Sequence, residues 1–190
     1  MKKELDERLC ADYPEIFRDR HGDVRTTAMC WGFSCGDGWY TLIDQLCRML
    51  TSKYNQLRRD VKHIEEMIAD PDKSQWNEWQ HNVYNEEKLA TKKAELEQAL
   101  QQIPVAVQVK EKFGGLRFYV SGATDEQYNY IRFAEAMSYR ICEECGSTQD
   151  VMVYPLGWQR SLCPEHAKQE YGDEAEHYRN KTGEWAEDAP

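Results

Sequence analysis

Two paired cysteine motifs near the C-terminal end constrain the fold of this chain more than any other feature. They are Cys142-Glu-Glu-Cys145 and Cys163-Pro-Glu-His166, and 17 residues separate them. In small zinc sites each such turn presents two ligands, and a short hairpin brings the two turns together. A Cys3His set fills a tetrahedral shell, so we predict a structural Zn2+ that activates no water. The alternatives are reduced core cysteines beside a surface histidine, or a disulfide.

The sequence around the two motifs fits that geometry. Residues 151–154 and 158–162 read as two short strands, and Pro155-Leu156-Gly157 reads as the turn between them. Upstream, Thr124-Asp125-Glu126-Gln127 has the form of a capping box and opens a helix predicted to run to Ile141. That helix delivers the chain into the first motif.

Composition limits the classes of protein to consider. The seven cysteines are an odd number, no apolar stretch follows Met1-Lys2-Lys3, and no run approaches the about 18 apolar residues of a membrane span. We therefore expect a reducing cytoplasm and no membrane insertion. The net charge is -10, and the acidic excess runs through the whole chain. This balance favours a protein partner, or simply solubility, over nucleic acid.

Residues 51–103 are predicted to form an inserted antiparallel helical hairpin with a coiled-coil seam. Asp70-Pro71-Asp72 ends its first helix, and Ser74 is the expected cap of a second helix that runs to about Gln102. The seam can close within one chain or between two, so a homodimer is an alternative. The apolar heptad positions of the first helix are Leu50, Tyr54, Leu57, Val61, Ile64 and Ile68.

Two further segments carry the candidate binding residues. Residues 30–40 are dense in glycine and aromatics, and Asp37 or Gly38 is expected to cap the following helix. Residues 105–120 alternate around Gly114-Gly115, which predicts a β-hairpin with its turn at that pair. Glu111 is then the one charged residue on the apolar face. The opposite face carries a basic surface of Lys110, Lys112, Arg117 and Tyr119.

Together these elements predict an α+β fold. Residues 1–50 and 104–170 form a zinc-stapled domain with a small C-terminal zinc ribbon or knuckle, and residues 171–190 form an acidic tail expected to be disordered. Cys30 and Cys35 make a second metal site conceivable. Because no second close pair exists, we expect Cys10, Cys30, Cys35 and Cys47 to be small buried hydrophobes.

Five segments follow one another in order over about 130 residues. They are Cys35-Gly-Asp-Gly-Trp-Tyr-x-Leu-Ile-Asp, Val109-Lys-Glu-Lys-Phe-Gly-Gly-Leu-Arg-Phe-Tyr, Ala134-Glu-x-Met-Ser, Cys142-Glu-x-Cys-Gly and Gly157-Trp-x-x-x-Leu-Cys163-x-x-His-Ala. Together these segments resemble a family of small uncharacterised proteins encoded by tailed bacteriophages and prophages. The resemblance implies a phage origin, a host-cytoplasm setting and a zinc knuckle, but no reaction. Two features depart from that family: the long insertion at 51–103, and Gly146-Ser-Thr-Gln-Asp, which lacks an expected Gly and Arg.

Three functional hypotheses follow. The first is a phage-encoded zinc-binding accessory protein that acts by contact with a host or phage protein, such as a defence protein. The second is nucleic-acid binding through the knuckle and the basic hairpin face. The third is a metal-dependent enzyme that uses Asp37 and Glu111, although no nucleophile and base pair stands out. The candidate surface residues common to these hypotheses are Asp37, Trp39, Lys110, Glu111, Lys112, Arg117 and Tyr119.

Overall fold

The computed structural model describes residues 1–182, and it confirms the α+β class. The chain forms two compact units: residues 1–47 with the chain from 104 onward, and residues 48–103. The first unit contains two small antiparallel sheets, and the second consists of helices. None of the helices within residues 1–182 combines the length and apolar character needed to cross a bilayer.

The elements follow one another in this order. The helices are α1 (Lys3–Asp12), α2 (Tyr40–Leu50), α3 (Ser52–Ala69), α4 (Glu78–Val83), α5 (Glu86–Gln101), α6 (Asp125–Ser138), α7 (Pro164–Tyr171) and α8 (Asp173–Thr182). The strands are β1 (Val105–Lys112), β2 (Gly115–Ser121), β3 (Met152–Tyr154) and β4 (Arg160–Leu162). Two short 3₁₀ turns, Met29–Trp31 and Asp37–Trp39, precede α2.

Strands β1 and β2 form the predicted hairpin, but the predicted turn is wrong by one residue. Phe113 and Gly114 make the turn, with φ angles of 55° and 78°, as a two-residue type I′ turn requires. Val109 therefore pairs with Phe118, and Glu111 pairs with Leu116. Gly115 belongs to β2, where a Cβ would lie 2.4 Å from the Tyr139 ring. Packing against that ring therefore requires a glycine at position 115.

The inner face of this hairpin builds the core of the first unit. Val109, Leu116 and Phe118 are at most 2% exposed. Helix α6 packs against β2, and its N-terminus carries the predicted capping box between Thr124 and Gln127. The burial of the apolar face, more than helix propensity, holds α6 in place.

The loop between α1 and α2 hydrogen-bonds to the edge of β1 that faces away from β2. The Ser34 N–H donates to the Val109 carbonyl at 3.0 Å, and the Glu111 N–H donates to the Ser34 carbonyl at 2.9 Å. The Ala28 N–H likewise donates to the Val107 carbonyl at 2.9 Å. These bonds satisfy backbone groups on the second edge of β1. They also fix the position of the glycine-rich segment, residues 30–40.

The second sheet, β3 with β4, packs on α7 and α8. Ala175 of α8 is buried in this cluster, and Tyr178 packs against it. Arg179 also donates to the Asp150 carbonyl at 2.9 Å. The expectation of disorder from residue 171 is therefore wrong for residues 173–182, because these contacts hold a helix there. Residues 183–190 lie outside the described residues.

In the second unit, helices α3 and α5 pair antiparallel. Glu65 of α3 forms an ion pair with Lys93 of α5 at 2.7 Å, while Leu57, earlier in α3, lines a groove with Gln98, later in α5. Helix α3 ends at Ala69, before Pro71, as predicted. The apolar cluster between the helices contains Val61, Ile64 and Leu89, with Ile68, Tyr84 and Leu96 packed against it.

The second helix of this hairpin differs from the prediction of one helix capped by Ser74. Asn77 caps the short α4 in a capping box with Gln80, and Asn85 caps α5 by accepting from the Lys88 N–H at 2.9 Å. The chain leaves the helical conformation at Tyr84, the C-cap residue that follows α4. Two asparagine caps in close succession explain the break, because each favours a new helix start over continuation.

Candidate metal centre and adjacent cleft

The four predicted metal ligands come together at one point. One ligand atom from each of Cys142, Cys145, Cys163 and His166 lies within 4.8 Å of the other three. The Cys145 and Cys163 sulfurs are 3.9 Å apart, and His166 Nδ1 lies 3.2 Å from the Cys163 sulfur and 3.7 Å from the Cys142 sulfur. A tetrahedral ion with bonds of about 2.3 Å to sulfur and about 2.0 Å to nitrogen needs edges of about 3.5–3.8 Å. The donor set fits such an ion.

Local backbone structure delivers these ligands. The Gly146 N–H donates to the Cys142 carbonyl at 2.8 Å, which closes the first turn. Cys163 is the N-cap residue of α7, and Pro164 takes the first helical position, where a missing N–H costs nothing. His166 then lies in the first turn of α7, next to Cys163. The first pair sits in a loop after α6, and the second sits at a strand-to-helix junction.

The electrostatics of the cluster favour a bound cation. Burial opposes ionisation of the Cys142 thiol, but backbone N–H groups of Cys163, Cys145 and Glu144 donate to its sulfur, and the net effect lowers its pKa. Burial and the two neighbouring sulfurs raise the pKa of the Cys145 thiol to about 11. A divalent cation among the sulfurs removes that cost, because it compensates the thiolate charges. The cluster can hold a metal ion, with all four positions of a tetrahedral shell filled by protein.

The glycine-rich segment docks directly on the first metal-ligand turn. The Gly36 N–H donates to Glu143 Oε1 at 2.9 Å, and the Gly38 N–H donates to the Glu143 carbonyl at 2.7 Å. A Cβ on Gly36 would lie 2.2 Å from that carbonyl oxygen, and one on Gly38 would lie 2.1 Å from the Cys142 carbonyl oxygen. These glycines allow close backbone approach. The segment braces the metal centre.

Glu143 joins this segment to the β3–β4 ribbon, and sequence reasoning missed it. Its side chain is buried, and its Oε2 accepts from Arg160 Nε at 3.1 Å. Burial raises the pKa of Glu143, against the opposing effect of the Arg160 guanidinium. Arg160 also pairs with Glu144 and, at 3.7 Å, with Glu170. No local sequence signal marks this pair, because the two residues meet only in the folded chain.

Asp37 and Trp39 have structural partners. Asp37 accepts from the Lys2 N–H at 2.6 Å and pairs with the Lys2 ammonium at 3.0 Å, so the prediction that Asp37 caps α2 is wrong. Gly38 is not the cap of α2 either, because it lies inside the 3₁₀ turn Asp37–Trp39 through which the chain enters α2. Trp39 is fully buried and donates its indole N–H to the Ile141 carbonyl at 3.0 Å. It is a core residue and not a surface one.

Glu111 lies in a cleft of about 560 Å³. Its Oε1 accepts from the Gly114 N–H at 2.7 Å, and its Oε2 accepts from the Trp158 indole N–H at 2.6 Å. The cleft lies between the tip of the β1–β2 hairpin and the β3–β4 turn. We call it the Phe113–Trp158 cleft, and its lining residues are Lys110, Glu111, Lys112, Phe113, Pro155, Gly157, Trp158 and Gln159.

The other predicted surface residues lie elsewhere. Arg117 donates to the Leu116 carbonyl at 2.7 Å and to the Tyr139 hydroxyl at 2.9 Å. Its guanidinium thus bonds to these two groups and not to Glu111, whose own partners are the Gly114 N–H and the Trp158 indole N–H. Tyr119 lines a different, shallow cleft beside Gln108. Asp37 lines a third cleft, so the two carboxylates of the enzyme hypothesis have separate surroundings.

The remaining cysteines do not assemble a second metal site within residues 1–182, where the Cys3His cluster is the one group of this kind. Cys35 and Cys47 are buried, and Cys10 and Cys30 are half-buried. Burial raises the pKa of the Cys35 thiol to about 12 and that of the Cys10 thiol to about 11. The expectation of small buried residues is therefore confirmed for Cys35 and Cys47, whereas Cys10 and Cys30 are only half-buried.

Comparison with known proteins found no matching protein-family model, no matching curated protein and no matching solved structure.

Proposed function

We propose that this chain is a non-enzymatic zinc-binding protein that recognises another protein through the Phe113–Trp158 cleft. The observation that carries the proposal is the exposure of two aromatic rings in one cleft: Trp158 is 72% and Phe113 is 66% exposed. Exposed large aromatic side chains that line a concave site are typical of binding hot spots.

The metal is zinc, with a structural role. Three thiolates and one imidazole are the donor set of closed structural zinc sites, and no coordination position is left for substrate or water. Metal analysis of the purified chain by mass spectrometry tests this assignment. We expect one Zn2+ per chain, and none after Cys163→Ser. A different metal, or full zinc retention in that variant, would contradict it.

The partner is a host or phage protein in the cytoplasm of an infected bacterium. Support for this setting comes from the five sequence segments that resemble the bacteriophage family, and from the absence of a membrane-crossing helix among the described residues. The acidic balance of the chain is consistent with a protein partner.

Affinity capture from bacterial lysate tests the interaction. We expect the zinc-loaded chain to recover one stoichiometric protein, and we expect Phe113→Ala or Trp158→Ala to lose it. Trp31→Ala is the matched control, because Trp31 is 75% exposed but does not line the cleft. Equal recovery by all variants, or recovery of nucleic acid alone, would reject the proposal.

A further inference from the structure

We propose that the Phe113–Trp158 cleft receives a short protein segment that carries one large apolar side chain flanked by acidic residues. This inference rests on the proposed function and specifies the chemistry of the partner. It is drawn from the way Glu111 fixes the two rings, from the charge at the cleft and from the cleft's size.

Glu111 sets both aromatic walls of the cleft. One carboxylate oxygen holds the Gly114 N–H, in the turn that presents Phe113, and the other holds the indole N–H of Trp158. The Tyr171 hydroxyl donates to the Trp158 carbonyl at 2.7 Å, which fixes the backbone of the β3–β4 turn. An exposed tryptophan with its ring edge and its backbone both bonded is preorganised. A ligand that stacks on it therefore loses less free energy to side-chain ordering.

The charge of the cleft favours an acidic ligand. Lys110 and Lys112 both line it, and neither has an ion-pair partner among residues 1–182. The Lys112 ammonium lies 5.3 Å from the centre of the Phe113 ring, at the rim that a ligand would touch. Glu111 contributes a negative charge, but both of its oxygens already accept hydrogen bonds, and the two lysines leave the lining with a formal charge of +1. Two unpaired lysines at one cleft are notable in a chain with 34 acidic and 24 basic residues.

The size of the cleft favours a segment over a folded surface. Its volume of about 560 Å³ lies within the about 300–1,000 Å³ typical of ligand pockets, enough for one large side chain and its neighbours. Nucleic acid, like an acidic segment with an aromatic side chain, is negatively charged and can stack on the two rings. However, the net charge of -10 repels a long polyanion more than a peptide with two or three carboxylates. Arg117 and Tyr119, which would extend a nucleic-acid path along the hairpin, do not line this cleft.

Peptide binding to the zinc-loaded full chain tests the inference. The probes are a fluorescent peptide with Trp between Asp and Glu, its Asn/Gln counterpart, its counterpart with Ala in place of Trp, and a short single-stranded oligothymidine. We expect the acidic Trp peptide to bind at least about tenfold more tightly than either peptide counterpart, which is a difference of about 1.4 kcal/mol. Its binding should perturb the indole N–H resonance of Trp158.

Lysine variants then assign the charge effect. Lys110→Ala with Lys112→Ala should remove the preference for the acidic peptide, whereas Lys53→Ala with Lys88→Ala, which changes the net charge equally, should keep it. Equal binding of the acidic and neutral peptides would overturn the inference. So would tighter binding of the oligothymidine with the same lysine dependence.

The two proposals fail separately. If a captured partner depends on Phe113 and Trp158 but no acidic peptide binds, the interaction stands and the inference about its chemistry is wrong. If no partner depends on these rings and no peptide binds, both are wrong.

Discussion

Trp39 and Trp158 each follow a glycine, and each donates its indole N–H to an oxygen of a neighbouring element. The acceptor is the Ile141 carbonyl for Trp39, at 3.0 Å, and Glu111 Oε2 for Trp158, at 2.6 Å. Yet Trp39 is fully buried and Trp158 is 72% exposed. The same Gly-Trp dipeptide therefore occurs in opposite environments.

The difference comes from what lies opposite each glycine. Gly38 contacts the backbone of Cys142 and Gly146, so the metal-ligand turn covers the segment that contains Trp39. A Cβ on Gly157 would meet nothing within 4 Å, so the Trp158 turn faces solvent. Burying a tryptophan removes about 150–250 Å² from water, worth about 4–6 kcal/mol at about 25 cal/mol/Å². Burial of Trp39 contributes to stability, whereas the Trp158 ring remains exposed to solvent.

Among the changes that test this difference, removal of the metal should have the largest effect on stability. Without the ion, the Cys142 turn loses its tether, and the Gly36–Gly38 segment loses the surface on which it docks. Structural zinc contributes about 10–16 kcal/mol of binding free energy in small domains, so Cys142→Ser should unfold the C-terminal part of the first unit. Hydrogen exchange should show joint loss of protection at residues 36–39 and 142–171.

Cys10→Ser is the control for metal removal, because Cys10 is half-buried and lies outside the metal cluster. It should keep wild-type metal content and wild-type protection at residues 142–171. A metal-free Cys142→Ser chain with wild-type protection would show that the metal is not what holds the two segments together.

Truncation of each tryptophan compares the two regions directly. Trp39→Ala should reduce the free energy of unfolding by about 3–5 kcal/mol, because it leaves a large cavity and an unpaired Ile141 carbonyl. Trp158→Ala should cost less than about 1 kcal/mol, since its ring is mostly solvated. Urea denaturation followed by circular dichroism measures both. Equal losses would mean that exposure does not separate the roles of the two residues.

The two glycines give a finer test of the same idea. Gly38→Ala places a Cβ 2.1 Å from one backbone oxygen and 2.4 Å from the Gly146 nitrogen, so the docked turn must move, at about 2–3 kcal/mol. Gly157→Ala meets no neighbour but keeps a φ of 79°, which costs about 1 kcal/mol. Competition with a zinc chelator should show weaker metal binding in the first variant only. Unchanged zinc affinity in Gly38→Ala would separate the glycine segment from the metal centre.

The sequence predicts the parts of this molecule that depend on nearby residues. The four ligands follow from the spacing within each motif, and the end of α3 follows from Pro71. The α6 cap follows from Thr124 and Gln127, which lie three residues apart. In each case the interacting groups are close in sequence, so the pattern and the physical cause coincide.

The errors arise where a distant contact decides the structure. Gly115 looks like a turn residue, but Tyr139 requires a glycine there, and Phe113 takes the positive φ instead. Residues 30–40 are predicted to carry binding residues, but Gly36 and Gly38 contact Glu143, more than 100 residues away, which gives this segment a structural role. Likewise, no apolar periodicity in the sequence predicts α8, which is stabilised by the burial of Ala175. Such partners cannot be read from a single chain without knowing what packs against what.

The smallest expected effect concerns Cys35, the buried residue directly before Gly36. Burial raises the pKa of its thiol to about 12, from an ordinary value of 9.0. Because the folded chain holds this proton more tightly than the unfolded chain, stability is fully present below pH 9. It then falls as the pH rises from 9 towards 12. By pH 10 the loss from this one group is on the order of 1 kcal/mol.

Cys35→Ala isolates that contribution. The variant should be less stable than the wild type at pH 7 because of a small cavity, but it should lose less stability between pH 7 and pH 10. Urea denaturation of the two zinc-loaded chains at both pH values gives the difference. The exposed turn at residues 155–159 contains no ionisable side chain, so this pH dependence belongs to the buried side of the comparison. Parallel pH dependence in the two chains would mean that the thiol ionises as readily in the folded segment as in the unfolded chain.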